Sequence, residues 1–145
     1  MSKVEDFLTQ AQEQEIIEAI RFAEENTSGE IRVHLEKTSD KESLDRAREV
    51  FYFLKMDETV QQNGVLFYIA VDDKKISILG DKAIDAVVPD NFWNSVKDTV
   101  INQFKKGNYT QGLKEGILET GLKLKHYFPY QNNDKNELPD SISLS

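Results

Sequence analysis

Hydrophobic residues recur along this chain at two spacings, and the switches between the two divide it into elements. Ile16, Ile17, Ile20 and Ala23 form one helical stripe, which predicts a helix over about residues 10–25. Thr9 and Gln12 ahead of it have capping-box spacing, and Phe7-Leu8 are placed to act as a staple. From Glu30 to Glu36 the period changes to two: Ile31, Val33 and Leu35 alternate with Glu30, Arg32, His34 and Glu36, the pattern of a half-buried strand. A second helix is expected over about residues 41–55, capped by Ser39 or Asp40, with Leu44, Ala47, Phe51 and Leu54 inward and a further short turn capped by Asp57.

Residues 65–71 are apolar without alternation, as in a central strand covered on both faces. Asp72-Asp73-Lys74 reverses the chain into a third strand over 75–80, which must run antiparallel to the second because the connection is so short. The first two strands are joined through a helix, so a parallel right-handed crossover is expected. A short turn over 83–88 precedes Pro89. A fourth helix follows, capped by Asp90, with Phe92, Trp93, Val96, Val100 and Phe104 inward. The last helix, about 110–127, buries Leu113, Ile117 and Leu124, and Gly112 and Gly116 allow close packing on the sheet. No repeat or linker interrupts the pattern. Residues 1–128 read as one domain, and the polar segment 129–145 as a tail that is mobile or laid over the surface.

This order gives an α/β sandwich of three layers, α/β/α, with a small mixed sheet and helices on both faces. It also gathers residues. If the first two strands are parallel, Glu30 and Asn63 begin them at one sheet edge, and the antiparallel third strand returns Gly80-Asp81 to that edge, with Asp85 and Asp90 close behind. Carboxylates brought together repel unless a positive charge offsets them. Calcium suits such a set, taking six to eight oxygens; Thr27-Ser28-Gly29 could add ligands, and Gly64 and Gly80 permit close backbone approach. An ordinary reading stands beside this one: Asp81 and Asp90 both precede helical segments, where an aspartate caps.

Composition narrows the chemistry. The 145 residues contain no cysteine and two histidines, which excludes disulfides, thiolate nucleophiles and zinc sites built on sulfur or several imidazoles. Any metal is held by oxygen: calcium first, magnesium or manganese next. A net charge of −8 disfavours nucleic acid, and Lys105-Lys106 and Lys123 with Lys125 read as solvated helix ends. No apolar run is long enough for a membrane helix, and the acidic start Met1–Asp6 is unlike a secretory signal, so a cytoplasmic location is expected. Neither a Gly-x-Ser-x-Gly elbow nor a phosphate-binding Gly-Lys-Thr loop occurs, His34 and His126 read as structural, and Trp93 as core.

Thr27-Ser28-Gly29-Glu30-Ile31-Arg32-Val33, Asn63-Gly64-Val65-Leu66, Gly80-Asp81 and Val88-Pro89-Asp90 resemble, in order and spacing, motifs of the TPM domain family. Phe104-Lys105-Lys106-Gly107-Asn108-Tyr109, followed by Gly112 and Gly116-Ile117, extends the resemblance over about residues 9–128. It implies a Rossmann-like sandwich and binding of divalent cations, calcium in particular. The family's acidic positions fall on Glu30, Asp81 and Asp90, with Asn63 at its Asn-Gly; Asp85 is added by geometry alone. A phosphatase activity attributed to plant members is implied as an alternative, with Asp81 as nucleophile or metal ligand. Export signals and membrane helices, frequent in relatives, are not seen, so a membrane-complex role does not transfer. Three functions thus stand: a non-catalytic cation-binding module that docks a protein partner, a metal-assisted phosphatase, and an acidic interaction scaffold.

Overall fold

The structure, a computed structural model, describes residues 7–130 and 138–144. The elements run α1 (Gln10–Glu24), β1 (Glu30–Glu36), α2 (Ser43–Phe53), a 3-10 turn (Met56–Glu58), β2 (Gly64–Ala70), β3 (Lys75–Gly80), α3 (Lys82–Asp85), α4 (Asn94–Lys105), α5 (Tyr109–Tyr127) and β4 (Ser143–Leu144). One mixed sheet has the order β3-β2-β1-β4. As the pattern required, β1 is parallel to β2 and β3 antiparallel to it.

The apolar alternation decides what lies on each face. Ile31, Val33 and Leu35 of β1, with Val65, Phe67 and Ile69 of β2, point to one side and pack under α1, α4 and α5. On the other side Leu66, Tyr68 and Ala70 meet Ala47, Val50 and Phe51 of α2, with Met56 and Leu138. The result is the expected three-layer sandwich. Helix α1 carries the capping box at Thr9 and Gln12, while Leu8 enters the core and Phe7 rests on Tyr109 with ring centroids 4.9 Å apart.

Several local expectations change. Helix α2 starts later than the pattern suggested, with Glu42 as its cap in place of Ser39 or Asp40, its carboxylate accepting from Leu44 and Asp45. Asp57 lies inside the 3-10 turn, and the residue before that turn is Lys55 at φ 58°. Asp90 caps nothing: Phe92 and Trp93 are held in turns, and α4 begins only at Asn94. Gly112 and Gly116 do allow close packing, chiefly against α4 through Gln103, Phe104 and Val100, with Phe67 of the sheet beside Gly116.

The larger correction concerns β1 and the expected tail. Residues 131–137 lie outside the described set, but β4 is a real strand, parallel to β1, pairing His34 with Ser143 and Leu35 with Leu144. Together with α2 it covers the polar face of β1, so Glu30, His34 and Glu36 are buried at 4%, 3% and 6% exposure, not solvated. Each finds partners there. The Glu30 carboxylate accepts the Leu138 N–H at 2.6 Å, and His34 Nδ1 meets Ser143 Oγ at 3.0 Å. Glu36 accepts from Arg46 Nη2 at 2.7 Å and from the Tyr68 hydroxyl. His34 stacks on Tyr68, and burial lowers its pKa, so its ring stays neutral despite Glu36 nearby. It is a packing histidine.

Candidate functional site

The strand directions assemble the predicted edge through the backbone. The Glu30 N–H donates to the Asn63 carbonyl at 3.3 Å, and the Asp81 N–H to the Gly64 carbonyl at 2.9 Å. Asn63 Nδ2 donates to Ser28 Oγ at 3.2 Å, and Ser28 Oγ to Gln61 Oε1 at 3.1 Å, tying the Thr27–Gly29 loop to the same end of the sheet.

Asp81 is the residue that this edge leaves unfinished. One carboxylate oxygen accepts the Lys82 N–H at 2.7 Å, so the capping role is real. The other, Oδ2, is buried with no hydrogen-bond partner among the described residues. The side chain as a whole is 5% exposed. Desolvation, with Asp57 as an added negative neighbour, raises the Asp81 pKa. Asp85 is raised too, by desolvation first and then by Asp81, against the partial offset of Arg48. Asp57, Asp81 and Asp85 therefore share one field of like charge. Among the described residues, no three His, Asp or Glu side chains converge tightly enough to form a ready-made metal cage.

The other predicted members fall elsewhere. Glu30 belongs to this edge by its backbone, but its carboxylate is engaged by Leu138. Asn63 is buried and spent on Ser28. Asp90 is exposed, with no hydrogen bond or ion pair to the other acids among the described residues. Asp57 was missed as a neighbour because its place depends on the 3-10 turn folding back under β2, which no periodicity announces.

A second acidic residue was also missed. The Glu24 carboxylate closes the corner after α1 by accepting the Ile31 N–H at 2.9 Å. Burial, Asp140 and Glu30 together push its pKa to about 9, with burial the largest cause. The folded protein thus holds a proton on Glu24 that the unfolded chain releases near the usual carboxylate range. The contribution of Glu24 to stability is complete below the unfolded value of 4.5 and is lost as pH rises towards about 9, by at most about 1.4 kcal/mol per pH unit. Glu24→Gln, which keeps an acceptor for Ile31 and a donor for Asp140, should flatten this slope. Urea midpoints measured from pH 5 to 9 on both proteins check it; equal slopes would refute it.

A family model for the TPM domain matches residues 1–122. The chain belongs to the TPM domain family. This TPM domain superposes on the NMR structure of the BA42 protein from the psychrophilic bacterium Bizionia argentinensis with a TM-score of 0.93, at 54% identity over 100% of both chains. It is similar in fold to the N-terminal domain of a protein from P. gingivalis, with a TM-score of 0.69 and 21% identity over 88% of this chain and 83% of that one. Comparison with curated proteins returns no match. Among the described residues of the TPM domain, no helix is long and apolar enough to cross a membrane.

Proposed function

We propose that this TPM domain binds a divalent cation of the calcium type at the Asp81 edge and acts as a non-catalytic module. The observation that carries this reading is the buried, unpartnered Oδ2 of Asp81 beside Asp57 and Asp85. A buried carboxylate oxygen without a donor is costly, and a cation is the partner that relieves both the desolvation and the like-charge repulsion. The donor set is all oxygen, as calcium and magnesium prefer. Because no closed cage of three carboxylates occurs among the described residues, Asp81 and one acidic neighbour would hold the ion, with water completing the shell. Val60 and Val87, exposed at 86% and 51%, stand close in sequence to Asp57 and Asp85, which fits a protein partner at the loaded edge. The phosphatase reading has less support: neither Asp81 nor Asp85 has a histidine beside it to act as general base or acid.

Thermal unfolding of the wild type and Asp81→Asn tests the reading, first in chelator and then with calcium or magnesium. Asparagine still caps α3, so the variant isolates the charge. Wild type should gain about 2.7 kcal/mol at a hundredfold excess of ion over its dissociation constant. Asp81→Asn should gain little. A shift that survives in the variant would move the ion elsewhere, and no shift at millimolar ion would dismiss cation binding.

A further inference from the structure

The opposite end of the sheet holds a basic cleft beside the acidic turn residues Asp72 and Asp73. There the β2–β3 hairpin places Lys74, at φ 54°, against the corner between α4 and α5. Lys74, Lys105 and Lys106 line a cleft of about 620 Å³ whose apolar wall is Ile101, Phe104 and Tyr109. We propose that this cleft binds a small organic phosphate, with the phosphate on the lysines and an aromatic or similarly apolar body against Phe104 and Tyr109. The inference does not rest on the cation reading.

Charge is the first argument. The chain carries 26 acidic against 18 basic residues, yet the lining of this cleft includes three lysines and no carboxylate. None of the three is within an ion-pair distance of a carboxylate among the described residues; the same holds for other surface lysines such as Lys55 and Lys97, and what sets these three apart is that they share one cleft. Reading Lys105 and Lys106 as a solvated helix end accounts for two of these charges, since they complement the negative end of α4. It does not account for Lys74, which comes from a different element. Three point charges in one cleft suit a group that carries nearly two negative charges at neutral pH, as a phosphate monoester does.

Shape and dipole point the same way. Phe104 and Tyr109 meet edge to face, with ring centroids 5.1 Å apart, and both are half-buried, so they present a fixed apolar wall. The volume lies within the roughly 300–1,000 Å³ of ordinary small-molecule sites. Tyr109 is also the first residue of α5, a 19-residue helix with no side-chain cap and no acid in its first turn, which leaves its positive end uncompensated beside the lysines. The cleft adjoins the carboxyl ends of the parallel pair, the end at which open α/β sheets receive ligands.

The test is an amide chemical-shift titration of the full chain with phenyl phosphate, inorganic phosphate and benzyl alcohol as separate probes. Phenyl phosphate should shift the amides of Lys74 and of residues 105–109 saturably in the millimolar range, less so as salt is added. Inorganic phosphate should act on the same amides more weakly, and benzyl alcohol hardly at all. Lys74→Gln alone, and Lys105→Gln with Lys106→Gln, should each weaken phenyl phosphate about tenfold through lost charge contacts. These side chains are exposed, so the variant spectra should otherwise overlay the wild type. The proposal is overturned by no saturable shift at these amides, by variants that bind as well as wild type, or by either control probe matching phenyl phosphate.

Discussion

Arg46→Met should cost the fold about 3–5 kcal/mol, far more than an arginine on a helix surface normally would, because it takes the guanidinium from a buried carboxylate. Arg46 Nε reaches both Glu36 oxygens, at 3.1 and 3.0 Å, and Nη2 adds a third contact at 2.7 Å. Glu36 is 6% exposed, and it also accepts from the Tyr68 hydroxyl and lies 3.6 Å from His34. Removing the guanidinium takes three charge-assisted contacts at once from a buried carboxylate. Urea unfolding at neutral pH measures the loss. Two comparisons give it meaning. Arg48 pairs with Asp45 at 3.3 Å, but both side chains are more than half exposed, so Arg48→Met should change stability by no more than about 1 kcal/mol. Glu36→Gln combined with Arg46→Met should be less damaging than Arg46→Met alone, since no charge is then left behind. A loss for Arg46→Met as small as that for Arg48→Met would mean that water reaches Glu36.

Gly121→Val should destabilise the fold by about 3 kcal/mol or more. The absent side chain is what lets α5 lie against α1. A Cβ at Gly121 would stand 2.8 Å from Ala23 Cβ, 2.9 Å from its Cα and 3.0 Å from its carbonyl oxygen. Two of those atoms are backbone and cannot swing aside. Gly121→Ala meets the same contacts but gains about 1 kcal/mol in helix propensity, so it should lose less. At Gly107, by contrast, a Cβ would touch nothing within 4 Å, but φ is +80°, so Gly107→Ala pays for backbone strain and not for crowding. Thermal or urea unfolding of the three variants separates the two mechanisms. If Gly121→Val unfolds with the wild type, the two helices are not in contact as described.

The sheet and its helices were legible because their signals are local. β1, β2 and β3 are bounded by Gly29, Asn63-Gly64, Asp72-Asp73-Lys74 and Gly80, and the alternation between those bounds fixes direction and face. The backbone half of the acidic edge followed from topology alone: main-chain hydrogen bonds join Glu30 to Asn63 and Asp81 to Gly64, as strand direction required. Where side chains decide, the reading was weaker. Glu30 starts β1, yet its carboxylate is claimed by Leu138, more than a hundred residues away, and sequence alone cannot reveal such a partner. Asp57 and Glu24 were passed over for the same reason, since each gains its importance from a neighbour on another element. Asp90 reads as part of the edge because it follows β3 closely and falls on an acidic position of the family, but in the structure it is exposed, and α4 begins only at Asn94. Gly121 escaped notice because Gly112 and Gly116 had already made a pair at helical spacing, while the one facing α1 lies on a different side of α5.

The polar row buried on β1 has a consequence for how the chain avoids wrong structures. An ordinary half-buried strand that slips by one position against its neighbour moves apolar side chains into water, a mistake of moderate cost. For β1 the same slip would push Glu30, Arg32, His34 and Glu36 into the layer now held by Ile31, Val33 and Leu35, beneath three helices that offer them no partners. At the same time it would separate Glu36 from Arg46 and Glu30 from Leu138. The two faces of β1 are both covered, but by unlike chemistries, so the strand fits in one alignment only. Its buried charges thus serve less to raise stability than to make every near-miss arrangement of the sheet expensive.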